Sequence, residues 1–344
     1  MSHRHVVLLT YGEPEAPATL AQLRYSWRIL VGLTRRVASI PAPLMPIIAL
    51  SRARFRNRLW TRERYASPLE PLTREQAHGL AAALGAGDGE TEWCVHVAYE
   101  FRDPLLTAVL EGLPEDQPVD VLPMYVADSA FTHQISRDSV ARWAAMRRRP
   151  RGAPVRVMPP LEGTTFAALS ADHVLAEADA RAATGPEWAL VLAAHGTLLD
   201  PPRPIETGRV ATEQVAEGIA ARLANRFGKV QLGWLNHVFG GRWTEPPVEE
   251  ALRRVAEAGY RRVVYFPFGF SADNAESQLE GRIALRAQPG LESVHLPCLN
   301  AAPAYLEALA RQVVGDARTQ RALPLAVDAP ASTEATMDSA SSAG

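Results

Sequence analysis

Short runs of β-branched and apolar residues recur along the chain, each followed by a longer segment in which apolar residues return every three or four positions. The short runs suit strands buried on both faces and the longer segments suit amphipathic helices, so the alternation predicts parallel sheets joined by helical crossovers. In the first half the predicted strands are Val6–Thr10, Trp93–Ala98, Val119–Pro123 and Val155–Met158, with helices including Thr73–Leu84 and Asp138–Arg148. A second set repeats the pattern: strands Ala189–Ala194, Val230–Leu235, Arg262–Phe266 and Ser293–Leu296, helices near Thr212–Arg226 and Val248–Ala258, and a last helix at Ala302–Val314. The expected fold is α/β, with two similar doubly wound domains, each built on a parallel four-stranded sheet, and a cleft between them.

Thr184-Gly185-Pro186 interrupts the periodicity just before the second set, and Gly-Pro is a strong breaker, so the boundary is placed there. An N-terminal domain of residues 1–184 and a C-terminal domain of 185–320 result, with 321–344 as a tail. From Asp328 to Gly344 the chain is rich in Ala, Ser, Thr and Pro and almost devoid of large apolar residues, a composition expected to stay disordered. The stretch from Ile29 to Leu59 breaks the pattern: Pro41, Pro43 and Pro46 interrupt apolar residues, and Arg52, Arg54, Arg56 and Arg58 follow among Phe55 and Leu59. It reads either as an ordinary surface helix or as a mobile apolar lip (29–59) whose arginines attract carboxylates at its rim.

Composition narrows the function classes. The chain has 344 residues, of which 47% are hydrophobic and 22% charged, enough apolar material for two globular cores. A net charge of −2 supplies no field to hold a polyanion, which argues against nucleic acid as a partner. Cys94 and Cys298 alone cannot build a disulfide scaffold or a four-cysteine iron–sulfur cluster, and they suit a reducing cytoplasm. No apolar stretch is long enough for a signal sequence or a membrane span.

Two segments carry candidate chemistry. His195-Gly196 stands where the strand Ala189–Ala194 ends, and ligands of open α/β sheets gather at the carboxyl ends of strands. A neutral imidazole there can accept a proton or bind a metal, although a lone histidine is more often structural. The run Phe266-Pro267-Phe268-Gly269-Phe270-Ser271-Ala272-Asp273-Asn274-Ala275-Glu276 leaves another strand, turns at Gly269 and enters a helix. Glu276 falls in its first turn with Glu280 four residues on, an acidic row that ordinary helix N-terminal charge would also explain.

Three ordered segments, Tyr11-Gly12-Glu13-Pro14, Ala194-His195-Gly196 and Gly269-Phe270-Ser271-Ala272-Asp273-Asn274-Ala275-Glu276, resemble the signature segments of ferrochelatases. Further similarity covers Ser67-Pro68-Leu69 through Gln76-Ala77-His78, Gly233-Trp234 with Trp243, and Leu299-Asn300 with Pro303, so it spans residues 6–315. The resemblance implies a chelatase-like fold in which His195 is the catalytic histidine and Glu276 the acidic residue facing it, both able to meet the metal. It also implies that Tyr11 lies on the opposite porphyrin face, as in the bacterial coproporphyrin III branch, and that Arg28 lies near the substrate carboxylates. Tyr125 and Trp243 would line the cleft and its rim. The sequence departs from the family pattern at Asn274, where histidine is common, and at Tyr65-Ala66, where a Gly-Gly pair is usual. Thr207-Gly208-Arg209 and Ala284 are further departures.

The resemblance therefore implies a lyase of haem biosynthesis that inserts Fe2+ into a porphyrin and releases two protons, with coproporphyrin III favoured over protoporphyrin IX. No cofactor beyond the substrate iron is expected, and no iron–sulfur cluster. Porphyrin and ferrous iron are the expected partners, with transient contact to neighbouring haem-pathway enzymes. The alternatives are a cobalt or nickel chelatase for a sirohydrochlorin-like tetrapyrrole and a non-catalytic tetrapyrrole-binding protein.

Overall fold

The computed structural model describes residues 2–34, 41–87, 91–147, 154–236 and 241–322. Arg148 of a predicted helix, part of the lip segment and residues 323–344 of the predicted tail lie outside the described residues.

Among the described residues eight strands form two four-stranded parallel sheets, in the orders β2-β1-β3-β4 and β6-β5-β7-β8. In the first sheet β1 is Ser2–Thr10, β2 Thr91–Tyr99, β3 Val119–Pro123 and β4 Val155–Val157. In the second, β5 is Gly185–His195, β6 Phe227–Leu235, β7 Arg262–Phe266 and β8 Glu292–His295. The central strands are apolar on both faces because helices cover both: Val6 and Leu8 enter one core cluster, Val7 and Leu9 another.

Among the described residues ten α-helices run between and beyond the strands: α1 Thr19–Thr34, α2 Met45–Arg62, α3 Leu69–Gly87, α4 Leu106–Glu111 and α5 His133–Arg147 in the first half. They continue as α6 Gly163–Asp179, α7 Arg209–Leu223, α8 Val248–Glu257, α9 Gly281–Arg286 and α10 Pro303–Ala322. Their buried positions follow the helical period, as in α8, where Val248, Ala251, Leu252 and Val255 face the second sheet.

The halves are interlocked. α6 precedes the second sheet in sequence but packs on α7, and α10 follows it but packs on α3 of the first half. One apolar cluster therefore runs from Val6, Leu8 and Leu80 through Phe166 and Val174 to Leu190, Val264 and Leu309. Polar contacts add to it: the Gln76 amide on α3 donates to the carbonyls of Ser271 (3.2 Å) and Asn300 (2.9 Å), and the Ser271 hydroxyl donates to the Met124 carbonyl (2.6 Å).

Candidate active site

Each strand order reverses beside its first strand, which puts a crevice at the carboxyl ends of β1 and β3 and another at those of β5 and β7. The two crevices open on one cavity of about 430 Å³, lined from the first half by Tyr11 and Tyr125 and from the second by His195, Trp243 and Glu276. Tyr25, Ile29 and Leu30 of α1 and Arg52 and Arg56 of α2 add a further wall. These two helices are where the sequence suggested a lip.

His195 is the last residue of β5. Its Nδ1 lies 2.6 Å from the Gly196 carbonyl oxygen, which can only accept, so Nδ1 carries the proton. Nε2 is then left with a lone pair in the neutral ring, and it stands 3.6 Å from a Glu276 carboxylate oxygen. The approach depends on Gly269 after β7: a Cβ there would sit 2.6 Å from the Ala194 Cα, so a side chain would push the Glu276 segment off the end of β5.

Glu276 stands on a six-residue π-helical turn, Ala275–Glu280, that leads into α9. Such turns are rare and recur at functional sites. Asn274 caps it: the side-chain oxygen accepts from the amides of Glu276 (2.9 Å) and Ser277 (3.0 Å), and the Ser277 hydroxyl accepts from the Asn274 amide (2.9 Å). Asp273 anchors the segment from below, accepting from Gln278 (2.7 Å), the Cys298 amide (2.8 Å) and Asn300 (3.0 Å).

On the other side, Tyr11 follows the end of β1 and its hydroxyl donates to the Phe131 carbonyl. Its ring lies 4.8 Å from that of Tyr125 and 5.4 Å from that of Phe101, which makes an aromatic wall. Burial pushes the Tyr125 phenol well above its ordinary range, so it remains protonated. Gly12 takes a positive φ of 70°, and a Cβ would meet the Tyr99 side chain at 2.8 Å, which fixes the sharp exit of the chain behind Tyr11. Trp243 is held by a bridge between its backbone and Leu198 and by the Thr244 hydroxyl, which accepts from the Thr197 amide (3.1 Å).

Arg28 does not belong to the lining. Its guanidinium reaches the Asp103 carboxylate at 2.9 and 3.1 Å, because α1 turns Tyr25 and Ile29 toward the cavity and carries Arg28 around to the β2–α4 connection. Of the four alternating arginines on α2, Arg52 and Arg56, one turn apart, reach the cavity, while Arg54 and Arg58 face solvent. Glu13, to which no local sequence spacing gives a role, is buried beneath this wall and receives Ser67, Arg56 and the Ala275 amide. A carboxylate directly beside the tight Gly12 turn is the signal that could have marked it.

Two parallel sheets that turn their carboxyl ends toward one aromatic cavity are the architecture of the chelatases. A multi-domain protein from Deinococcus radiodurans described as structurally similar to chelatases superposes with a TM-score of 0.50 at 17% identity, covering 89% of this chain and 54% of that one, a likeness of fold. The chain belongs to the ferrochelatase family, whose model matches residues 3–316. Ferrochelatase of Xylella fastidiosa (strain M23) is 30% identical over 336 residues, covering 93% of this chain and 98% of that protein. That of Methylibium petroleiphilum is 30% identical over 348 residues, covering 90% and 88%.

Proposed function

We propose that the chain inserts Fe2+ into a porphyrin held between the two sheets, with coproporphyrin III as the preferred substrate. The observation that carries this is the apposition of His195 Nε2 and Glu276 at 3.6 Å on one side of a cavity whose other side is aromatic. Family membership and the names of the relatives support metal insertion into a tetrapyrrole.

The reaction exchanges two pyrrole protons for one ferrous ion, so the site must accept protons and receive a divalent cation. His195 Nε2, whose lone pair is set by the Nδ1 bond to Gly196, accepts a pyrrole proton. Glu276 stabilises the imidazolium that forms and offers oxygen to the iron; imidazole and carboxylate together suit a borderline divalent metal. The aromatic walls bind the macrocycle, and that binding offsets the strain of bending the ring. Arg52, which faces the cavity from α2, supplies positive charge for a substrate carboxylate. Coproporphyrin III is favoured because Tyr11 resembles the tyrosine of the coproporphyrin branch and because a substrate with four carboxylates gains most from the arginines of α2.

The test is anaerobic iron insertion assayed with coproporphyrin III and protoporphyrin IX at matched concentrations. Turnover of coproporphyrin III at the higher kcat/KM is expected. Preference for protoporphyrin IX would overturn the substrate assignment, and inactivity with both would overturn the reaction.

A further inference from the structure

Glu13 is a carboxylate with 5% of its surface exposed, and its oxygens gather three segments that are remote in sequence. Oε1 accepts from the Ser67 hydroxyl and, at 3.0 Å, from the amide of Ala275, the first residue of the π-helical turn. Oε2 faces Arg56 Nη2 of α2 at 3.5 Å. Arg56 is held further by Gln22 (3.1 Å) and lies over the rings of Tyr25 (5.1 Å) and Trp60 (5.2 Å), while it also lines the cavity that holds Glu276. Trp60 near the end of α2 and Tyr65 just beyond it pack on Ala275 and Leu279, which ties the helix end to the turn.

We propose that Glu13 is a positioning residue for the metal step: it pins the amide just before Glu276 and holds the Arg56 guanidinium on itself and away from Glu276. This rests on the iron-insertion reading above. Two charges of opposite sign that line one cavity attract each other unless a nearer partner intervenes, and at low effective dielectric that preference is strong. Burial opposes the charge of Arg56, but Tyr25, Glu13, Glu276 and Glu280 together hold its pKa above the ordinary value. Once Glu13 loses its charge, Glu276 becomes the strongest remaining carboxylate attraction on Arg56. An arginine seated on Glu276 would compete directly with an incoming cation.

Glu13→Gln keeps the shape and an acceptor oxygen for Ala275 while removing the charge. The expected result is at least a tenfold loss of kcat/KM for iron, with the Kd for metal-free porphyrin, from fluorescence quenching, within about threefold of the parent. Arg56→Met added to Glu13→Gln removes the competing cation and fills the space between Tyr25 and Trp60, and it is expected to recover iron insertion to within about threefold of the parent. A Glu13 that is only a structural hydrogen-bonding group predicts the opposite: a double variant no better than the single one, with porphyrin binding and melting temperature falling alongside the rate. That result, or full activity in Glu13→Gln, overturns the proposal. An unmodified chain that inserts no iron sinks the parent reading and this one with it, and is recognised before any variant is compared.

Discussion

His195 and Glu276 face each other at 3.6 Å although they are remote in sequence, one ending β5 and the other standing on the turn that follows β7. Because these strands are hydrogen-bonded neighbours in register from Trp188–Arg262 to Leu192–Phe266, the pair is fixed by the sheet itself. His195→Ala should abolish iron insertion and leave the Kd for free porphyrin within about tenfold, since proton acceptance belongs to the chemical step and the walls supply the affinity. A turnover assay beside a fluorescence titration checks it, and surviving turnover would remove His195 from the chemistry.

Tyr11 should act only once the ring is metallated. Tyr11→Phe deletes the hydroxyl that donates to the Phe131 carbonyl, so it is expected to change the absorption spectrum of bound iron porphyrin while the affinity for free porphyrin changes little. Equal weakening of both complexes, with the iron spectrum unaltered, would reduce Tyr11 to a packing residue.

Asn274 should matter through the turn it caps. Asn274→Ala leaves the amides of Glu276 and Ser277 without their acceptor, which costs about 1 kcal/mol of stability. The rate of metal insertion is expected to fall by more than that loss accounts for, because the amide of Glu276 itself is released. Urea unfolding and kcat measured on the same preparation separate the two effects; a rate that tracks stability alone would contradict this.

Acid should destabilise the wall behind Tyr125. His133 is fully buried, with its ring edge-on to Tyr125 at 5.9 Å, and burial, outweighing the attraction of Asp128, lowers its pKa from 6.5 to about 4. The unfolded chain takes up the proton first as pH falls, so this contribution is complete above about pH 6.5 and is lost between there and pH 4, with an upper bound of about 3 kcal/mol. His133→Phe keeps an aromatic edge against Tyr125 and should flatten the fall of Tm over that interval. An unchanged slope would mean that other groups govern acid unfolding.

Much of this architecture is legible in the residues. The eight strands among the described residues overlap the predicted apolar runs, because central strands covered on both faces are mostly apolar, as Val6, Val7, Leu8 and Leu9 of β1 and Leu190, Val191 and Leu192 of β5 illustrate. Helix α6 escapes the pattern because its buried face is mostly small: Ala167, Ser170, Ala171 and Ala178 hardly register as apolar spacing, and only Phe166 and Val174 stand out. The prolines before α2 read as breakers, yet Pro43 sits in a single 3-10 turn and Pro46 in the first turn of α2, where no intrahelical donor is lost. Arg28 shows the limit for site residues, since a cation one position around the helix from the cavity face is claimed by Asp103. Glu13 shows the converse, because its partners come from positions 43 to 262 residues away, and no local spacing announces a contact made only by the folded chain.

The exchange of α6 and α10 between the halves sets how a large flat substrate can enter. Parting the two sheets like a hinge would strip Leu80, Leu190 and Leu309 from one another and expose a continuous apolar face, at roughly 25 cal/mol for each Å². The scaffold is therefore a fixed frame, and the open rim of the cavity is the edge formed by α1 and α2, whose outer surface carries Leu20, Trp27, Ile47 and Phe55 in contact with solvent. A vessel with such a frame is open only at its rim, and the imidazole and carboxylate keep their separation because the end of α2 stays seated on the turn that carries Glu276.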